Sequence, residues 1–168
     1  MGNLPGELVV IGIDAASKSG YAVVAKYGGQ KERLLERGAM RADNYQLMHE
    51  LGERWRGRLS LATIEKPFQQ QNRNTTALLD QIAGRWQFVM GRIGVRWEVR
   101  FADQWQKEVL TGLIAAGTKR DARKLAARRW VNAWFGVSVT DEDEADAIGL
   151  AVAAARRHAF AARAGIAV

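Results

Sequence analysis

The chain has 168 residues, 48% of them hydrophobic, with no cysteine, two histidines and a formal net charge of +7. Without cysteine there are no disulfides or thiolate metal sites, and two histidines make no His-rich zinc site, so any metal is held mainly by oxygen. The length and apolar content predict one domain over 1–168, with no apolar run long enough to span a membrane and no secretion leader. The positive charge favours a polyanionic partner, most simply nucleic acid.

Val9 to Ile13 is an apolar run around one glycine that ends in Asp14, the pattern of a central strand. Residues 8–14 and 20–27 pair as an antiparallel hairpin, and Gly28-Gly29 turns the chain into a third strand over 31–40. Core packing has no use for the charge of Asp14, which needs a cation, a metal or backbone N–H groups. Opening the turn is its ordinary alternative role. Asp43 or Asn44 then caps a helix to about Leu59, with Leu47, Met48, Leu51, Trp55 and Leu59 on its inner face. A second apolar strand, starting at Leu61, ends in Glu65-Lys66 and is stopped by Pro67.

A polar loop, Gln69 to Asn74, leads into a helix over about 75–92 with a core stripe of Leu78, Leu79, Ile82, Trp86, Val89 and Ile93. Ala77, Gly84, Phe88 and Gly91 fall together on its other side. Interior glycines cost a helix roughly 1 kcal/mol each relative to alanine, so this face calls for a close neighbour. That neighbour is either the same helix of a second copy, in a dimer, or an element of the same chain. Residues 95–101 alternate as a half-buried strand through Val95, Trp97, Val99 and Phe101, and a helical stretch over 104–110 carries Trp105 and Lys107.

Thr118 is expected to cap the next helix, with Asp121 in a capping-box arrangement. Lys119, Arg120, Arg123, Lys124, Arg128 and Arg129 stand here against the single acid Asp121. Most lie opposite an apolar side made of Ala122, Leu125, Ala126, Trp130 and Ala133. With so little acid interleaved, phosphate contact is favoured over a merely solvated face, and Lys119, Arg120, Arg123 and Lys124 are its DNA-binding candidates. The last helix follows Val137–Thr140 and runs to about Phe160. Asp141 as N-cap and Glu144 as its capping-box partner account for two of its acids. Asp143 and Asp146, three apart, share a face. Asp146 opens the apolar run Ala147–Ala155, so that face turns toward the core, where gathered acids need a cation.

Asp14, Glu65, Asp143 and Asp146 therefore form a set of carboxylates on rigid elements. Phosphodiester hydrolysis needs an activated water, a stabilised leaving oxygen and neutralised charge on phosphorus. Two divalent ions about 4 Å apart supply all three when carboxylates bridge them. Asp14, from the central strand, is the candidate bridge.

Gly12-Ile13-Asp14 with Gly20-Tyr21, Ile64-Glu65-Lys66-Pro67-Phe68, and Asp143-Glu144-Ala145-Asp146-Ala147 resemble the three motifs of RuvC-type Holliday junction resolvases, in order and spacing, over roughly 8–158. The resemblance implies an α/β, ribonuclease-H-like fold: a mixed five-stranded sheet flanked by helices. It implies a homodimer that places one Mg2+-dependent site on each of two opposing strands of a four-way DNA junction. Asp14, Glu65, Asp143 and Asp146 become catalytic metal ligands for two Mg2+ ions, with Mn2+ as a substitute. Phe68 falls near the junction centre, and Lys107 with Lys119 or Arg120 near the scissile phosphate. The helix over 75–92 becomes a dimer helix carrying Gly84, Phe88 and Gly91. Ala15-Ala16 stands where the family commonly has Pro-Gly. The implied setting is the cytoplasm of a bacterial or phage-infected cell. Two other readings stand beside this one. One is a ribonuclease-H-fold nuclease for flaps, other branched DNA or RNA–DNA hybrids. The other is a catalytically silent nucleic-acid-binding module whose acids are only caps.

Overall fold

The computed structural model describes residues 6–66 and 72–166; Pro67, Phe68 and the start of the loop after them lie outside the described residues. Five strands form one sheet: β1 (Glu7–Asp14), β2 (Lys18–Tyr27), β3 (Arg33–Arg41), β4 (Leu61–Glu65) and β5 (Trp97–Arg100). Their order is β3-β2-β1-β4-β5, with β1 and β3 antiparallel to β2, and β4 parallel to both β1 and β5. The helices are α1 (Tyr45–Trp55), α2 (Arg73–Arg92), α3 (Ala102–Val109), α4 (Arg120–Phe135) and α5 (Glu142–Ala164). This is the mixed five-stranded α/β sheet with flanking helices that the motifs imply.

The two-residue period of a strand sorts the core. Val9, Ile11 and Ile13 of β1 point to one face and pack with Met48, Leu51 and Trp55 of α1 and Ile82, Trp86 and Val89 of α2. Val10 points to the other face, against Ala154 and Ala155 of α5. Gly12 and Asp14 share that second face by alternation. On it α5 lies against the sheet with almost no clearance: a Cβ on Gly12 would overlap the carbonyl oxygen of Ala147, and one on Gly20 that of Asp143. The glycines are therefore what let the helix bearing Asp143 and Asp146 settle onto β1 and β2. At the far end of the same layer, Glu32 receives Trp134 Nε1 and Arg156 Nε, each at 3.1 Å, and pairs with Lys26. Against its burial, those hydrogen bonds from Arg156 and Lys26 hold its carboxyl down at about 2 and tie the β2–β3 turn to α4 and α5.

Several expectations are corrected in detail. α1 ends at Trp55, before a turn through Gly57 at positive φ, and Leu47 on its expected inner face is exposed. Leu78 of α2 also faces outward, and Ala83 and Met90 complete the buried stripe instead. β5 is an edge strand of Trp97–Arg100, shorter than expected, so Trp97 stays 42% exposed, and Phe101, 48% exposed, lies past its end in the N-cap position of α3. Thr118 does not cap α4: its hydroxyl closes the preceding turn on Ala115, and Lys119 takes the cap position without a side-chain bond. The buried face of α4 is Ala127 and Val131, with Lys124 half-buried beside them, while Ala122 and Ala133 are exposed. Asp141 does cap α5, accepting from Asp143 N and Glu144 N, but the Glu144 carboxylate pairs with Arg37 of β3 and forms no capping box.

Candidate active site

Asp14 and Glu65 end neighbouring parallel strands. The register pairs Ile13 with Ile64, so the next residue on each strand is a carboxylate, both on the α5 face. The turn after Asp14 is closed by the backbone, Ala16 N donating to Asp14 O at 3.0 Å. The Ser19 hydroxyl donates to Ala16 O and accepts from Trp86 Nε1 of α2. The carboxylate of Asp14 is thus left for the site. On Glu65, Oε2 accepts from Trp105 Nε1 of α3 at 2.7 Å. From above, the first turns of α5 bring in Asp143 and the buried Asp146.

The electrostatics show how tightly these groups crowd. Burial pushes the Asp14 carboxyl well above the usual carboxylate range, reinforced by Glu65, Asp146 and Asp143 and opposed by Lys124. Burial raises Glu65 too, against the Trp105 hydrogen bond and the charges of Lys124 and Arg120. Asp146 is pushed up to about 7, first by burial and then by Glu65. All four sequence candidates are therefore one electrostatic cluster, not independent caps.

The basic residues divide. Lys124, with its side chain only 17% exposed, sits 3.0 Å from Glu142 and 3.9 Å from Asp143 and turns into the acid cluster. Arg120 is exposed at the start of α4, near enough to act on Glu65. Arg123 Nε donates to Thr118 O. Lys119 is exposed, and Lys107 is paired along α3 with Asp103 at 3.3 Å. Trp105, which sequence reading left without a role, is the direct partner of Glu65. The available signal was that an indole N–H buried on a helix next to a strand-end acid requires an acceptor. On α2, Gly84 meets no atom within 4 Å and Phe88 is 58% exposed, while Gly91 has Trp97 Nε1 of β5 at 4.0 Å from where its Cβ would stand, so the small-residue face is touched at one end and otherwise bare among the described residues.

Among the described residues, no three acidic or histidine side chains stand as a ready-made coordination set. The donor chemistry nonetheless fits a hard divalent cation. All four candidates are carboxylates, crowding holds Asp14 and Asp146 above the usual carboxylate range, and Asp146 Oδ1 is buried without a hydrogen-bond partner.

No protein-family model and no curated protein sequence matches the chain. Solved structures do. Thermus thermophilus RuvC in complex with a Holliday junction substrate aligns with a TM-score of 0.72 at 22% identity, covering 94% of this chain and 97% of that one. The fold is that of RuvC. The fowlpox virus Holliday junction resolvase shares the RuvC-like architecture with a TM-score of 0.59 at 12% identity over 89% of this chain and 99% of its own. The yeast mitochondrial Holliday junction resolvase gives 0.53 at 12% identity, covering 92% and 80%.

Proposed function

We propose that this protein is a structure-selective DNA endonuclease that resolves four-way junctions by metal-dependent hydrolysis of phosphodiesters on opposing strands. The observation that carries the reading is the meeting of Asp14, Glu65, Asp143 and Asp146 at one end of a sheet with the RuvC fold. Two of the structures with this fold hold Holliday junction DNA. The sheet end supplies rigidity: two carboxylates on paired strands and two on a helix seated against them move little relative to one another.

In this reading Asp14, Glu65, Asp143 and Asp146 hold divalent ions, Mg2+ or in its place Mn2+. When bound, these supply the activated water and the neutralised charge on the phosphate. The chain's own part is positional. Trp105 fixes the Glu65 carboxylate by its indole hydrogen bond, and Gly12 and Gly20 keep α5 close enough for Asp146 to face Asp14. Lys124 offsets the repulsion among the acids, and Lys119 and Arg120 are left outward for the DNA backbone. A homodimer built on the open face of α2, with Gly84, Phe88 and Gly91 at its centre, would present one site to each of two strands. Cytoplasmic DNA of a bacterial or phage-infected cell is the setting that suits this activity; no helix among the described residues is long and apolar enough to cross a membrane.

The test is cleavage of a labelled four-way junction with Mg2+ by wild type, Asp14→Asn and Asp146→Asn. Paired nicks on opposing strands are expected from wild type, with a loss of at least a hundredfold in each variant while junction binding persists. A wild type that binds the junction but never cuts it, with Mg2+ or Mn2+, would overturn the reading. Preferential cutting of RNA–DNA hybrids would move the activity to another substrate.

A further inference from the structure

A cavity of about 330 Å3 opens between α3, the loop after it and the start of α4. Leu110, Ile114 and Ala115 give it apolar walls, and Lys107 and Arg123 stand at its rim. Gln106 also lines it. That side chain is only 7% exposed, and its amide makes no hydrogen bond with any described residue. The amide therefore opens onto the cavity with its donor and acceptor free for a bound partner. The volume lies within the range of small-molecule sites, whose lining is mostly apolar with a few placed polar groups.

We propose that this cavity receives an unpaired nucleobase of the bound DNA, its edge read by the Gln106 amide. An amide presents a donor beside an acceptor, the complement of what a base edge offers once it leaves its stack. The apolar walls suit the faces of the ring, which a bare anion or a cation would not use. The one acid at the rim, Asp103, is already paired with Lys107, and the remaining positive group, Arg123, suits a flanking phosphate. Position adds the strongest argument. Trp105 and Lys124 touch the carboxylate cluster, and their immediate neighbours Gln106 and Arg123 line the cavity. Successive helical residues point about 100° apart, so the same two helices border both sites on neighbouring faces, and a strand with a phosphate at the acids can run on toward the cavity. The inference takes its substrate from the nuclease reading and adds where that substrate is read.

The experiment is an abasic scan. Four-way junctions lacking one base at successive positions around the crossover are bound without divalent metal by wild type, Gln106→Leu and Ala115→Leu. The leucine at 106 keeps the volume but removes the amide, and the one at 115 fills the cavity. Matched thermal midpoints establish that both variants are folded. In wild type, one position is expected to bind about tenfold more weakly when its base is missing, the scale of losing one base contact. In at least one of the variants that position loses its effect, and its intact junction binds as weakly as the abasic one. If no position matters in wild type, or every effect persists in both variants, the pocket is wrong. A scan that succeeds with a wild type that never cleaves leaves the pocket standing and removes the nuclease reading. A wild type that does not bind junctions removes both.

Discussion

A carboxyl that titrates at about 7, as Asp146 does, keeps its proton in the folded chain over a range in which the unfolded chain has lost it. With metal removed, the native state binds the extra proton, so stability falls as pH rises from about 4 to about 7 and levels off above that. Each pH unit of that interval is worth at most about 1.4 kcal/mol. Asp146→Asn is expected to flatten this slope and raise the metal-free thermal midpoint at pH 8, where wild type suffers the full repulsion. Thermal unfolding in chelator from pH 4 to 8 checks it; identical slopes in the two proteins would deny Asp146 that role. The acids were legible in the sequence because a charge at the end of an apolar strand, or at the head of an apolar helix, has no packing use. Lys124 was legible only as one positive charge among six. In α4 alanine occupies both faces, at 122, 126, 127 and 133, so hydrophobic contrast could not fix the phase that turns Lys124 inward.

Among the elements, α5 decides whether the site exists, and its height above the sheet is set by two missing side chains. Gly20→Ala places a Cβ into the Asp143 carbonyl, backbone against backbone, with no flexible atom to yield. A loss of about 1–3 kcal/mol in stability is expected, with Mg2+ affinity weakened in the fraction that remains folded. Denaturant unfolding and a Mg2+ titration followed by calorimetry measure the two; a variant with unchanged metal affinity would separate α5 placement from the site. Both glycines stood in the sequence motifs, yet sequence alone could not say what passes over them. The β5 strand shows the reverse difficulty. Alternation extended the strand through Phe101, which instead stands before α3, and whether anything covers Trp97 depends on the strand's place in the sheet, where an edge is left half bare.

For the molecule as a whole, the open question left by the sequence concerned α2, whose small face suited either an internal neighbour or a second copy. Gly84 meets nothing and Phe88 projects into solvent, so within the described residues the centre of that face is bare, with an internal neighbour, Trp97, only at Gly91. Phe88→Glu is expected to shift the protein from dimer to monomer in ultracentrifugation at unchanged monomer fold by circular dichroism; equal mass in both would end the dimer proposal. The order of the chain has its own consequence. Asp14 lies on the first strand and Asp146 on the last helix, and they meet only after β4 has crossed over to pair in parallel with β1 and α5 has docked on the glycines. Contacts so distant in sequence form late. During synthesis, the basic start of α4 emerges from the ribosome before Asp146 does, so an unfinished chain carries its cationic surface without a completed acid cluster. If the nuclease reading holds, no cleavage-competent site can form on a nascent chain before Asp146 has been made.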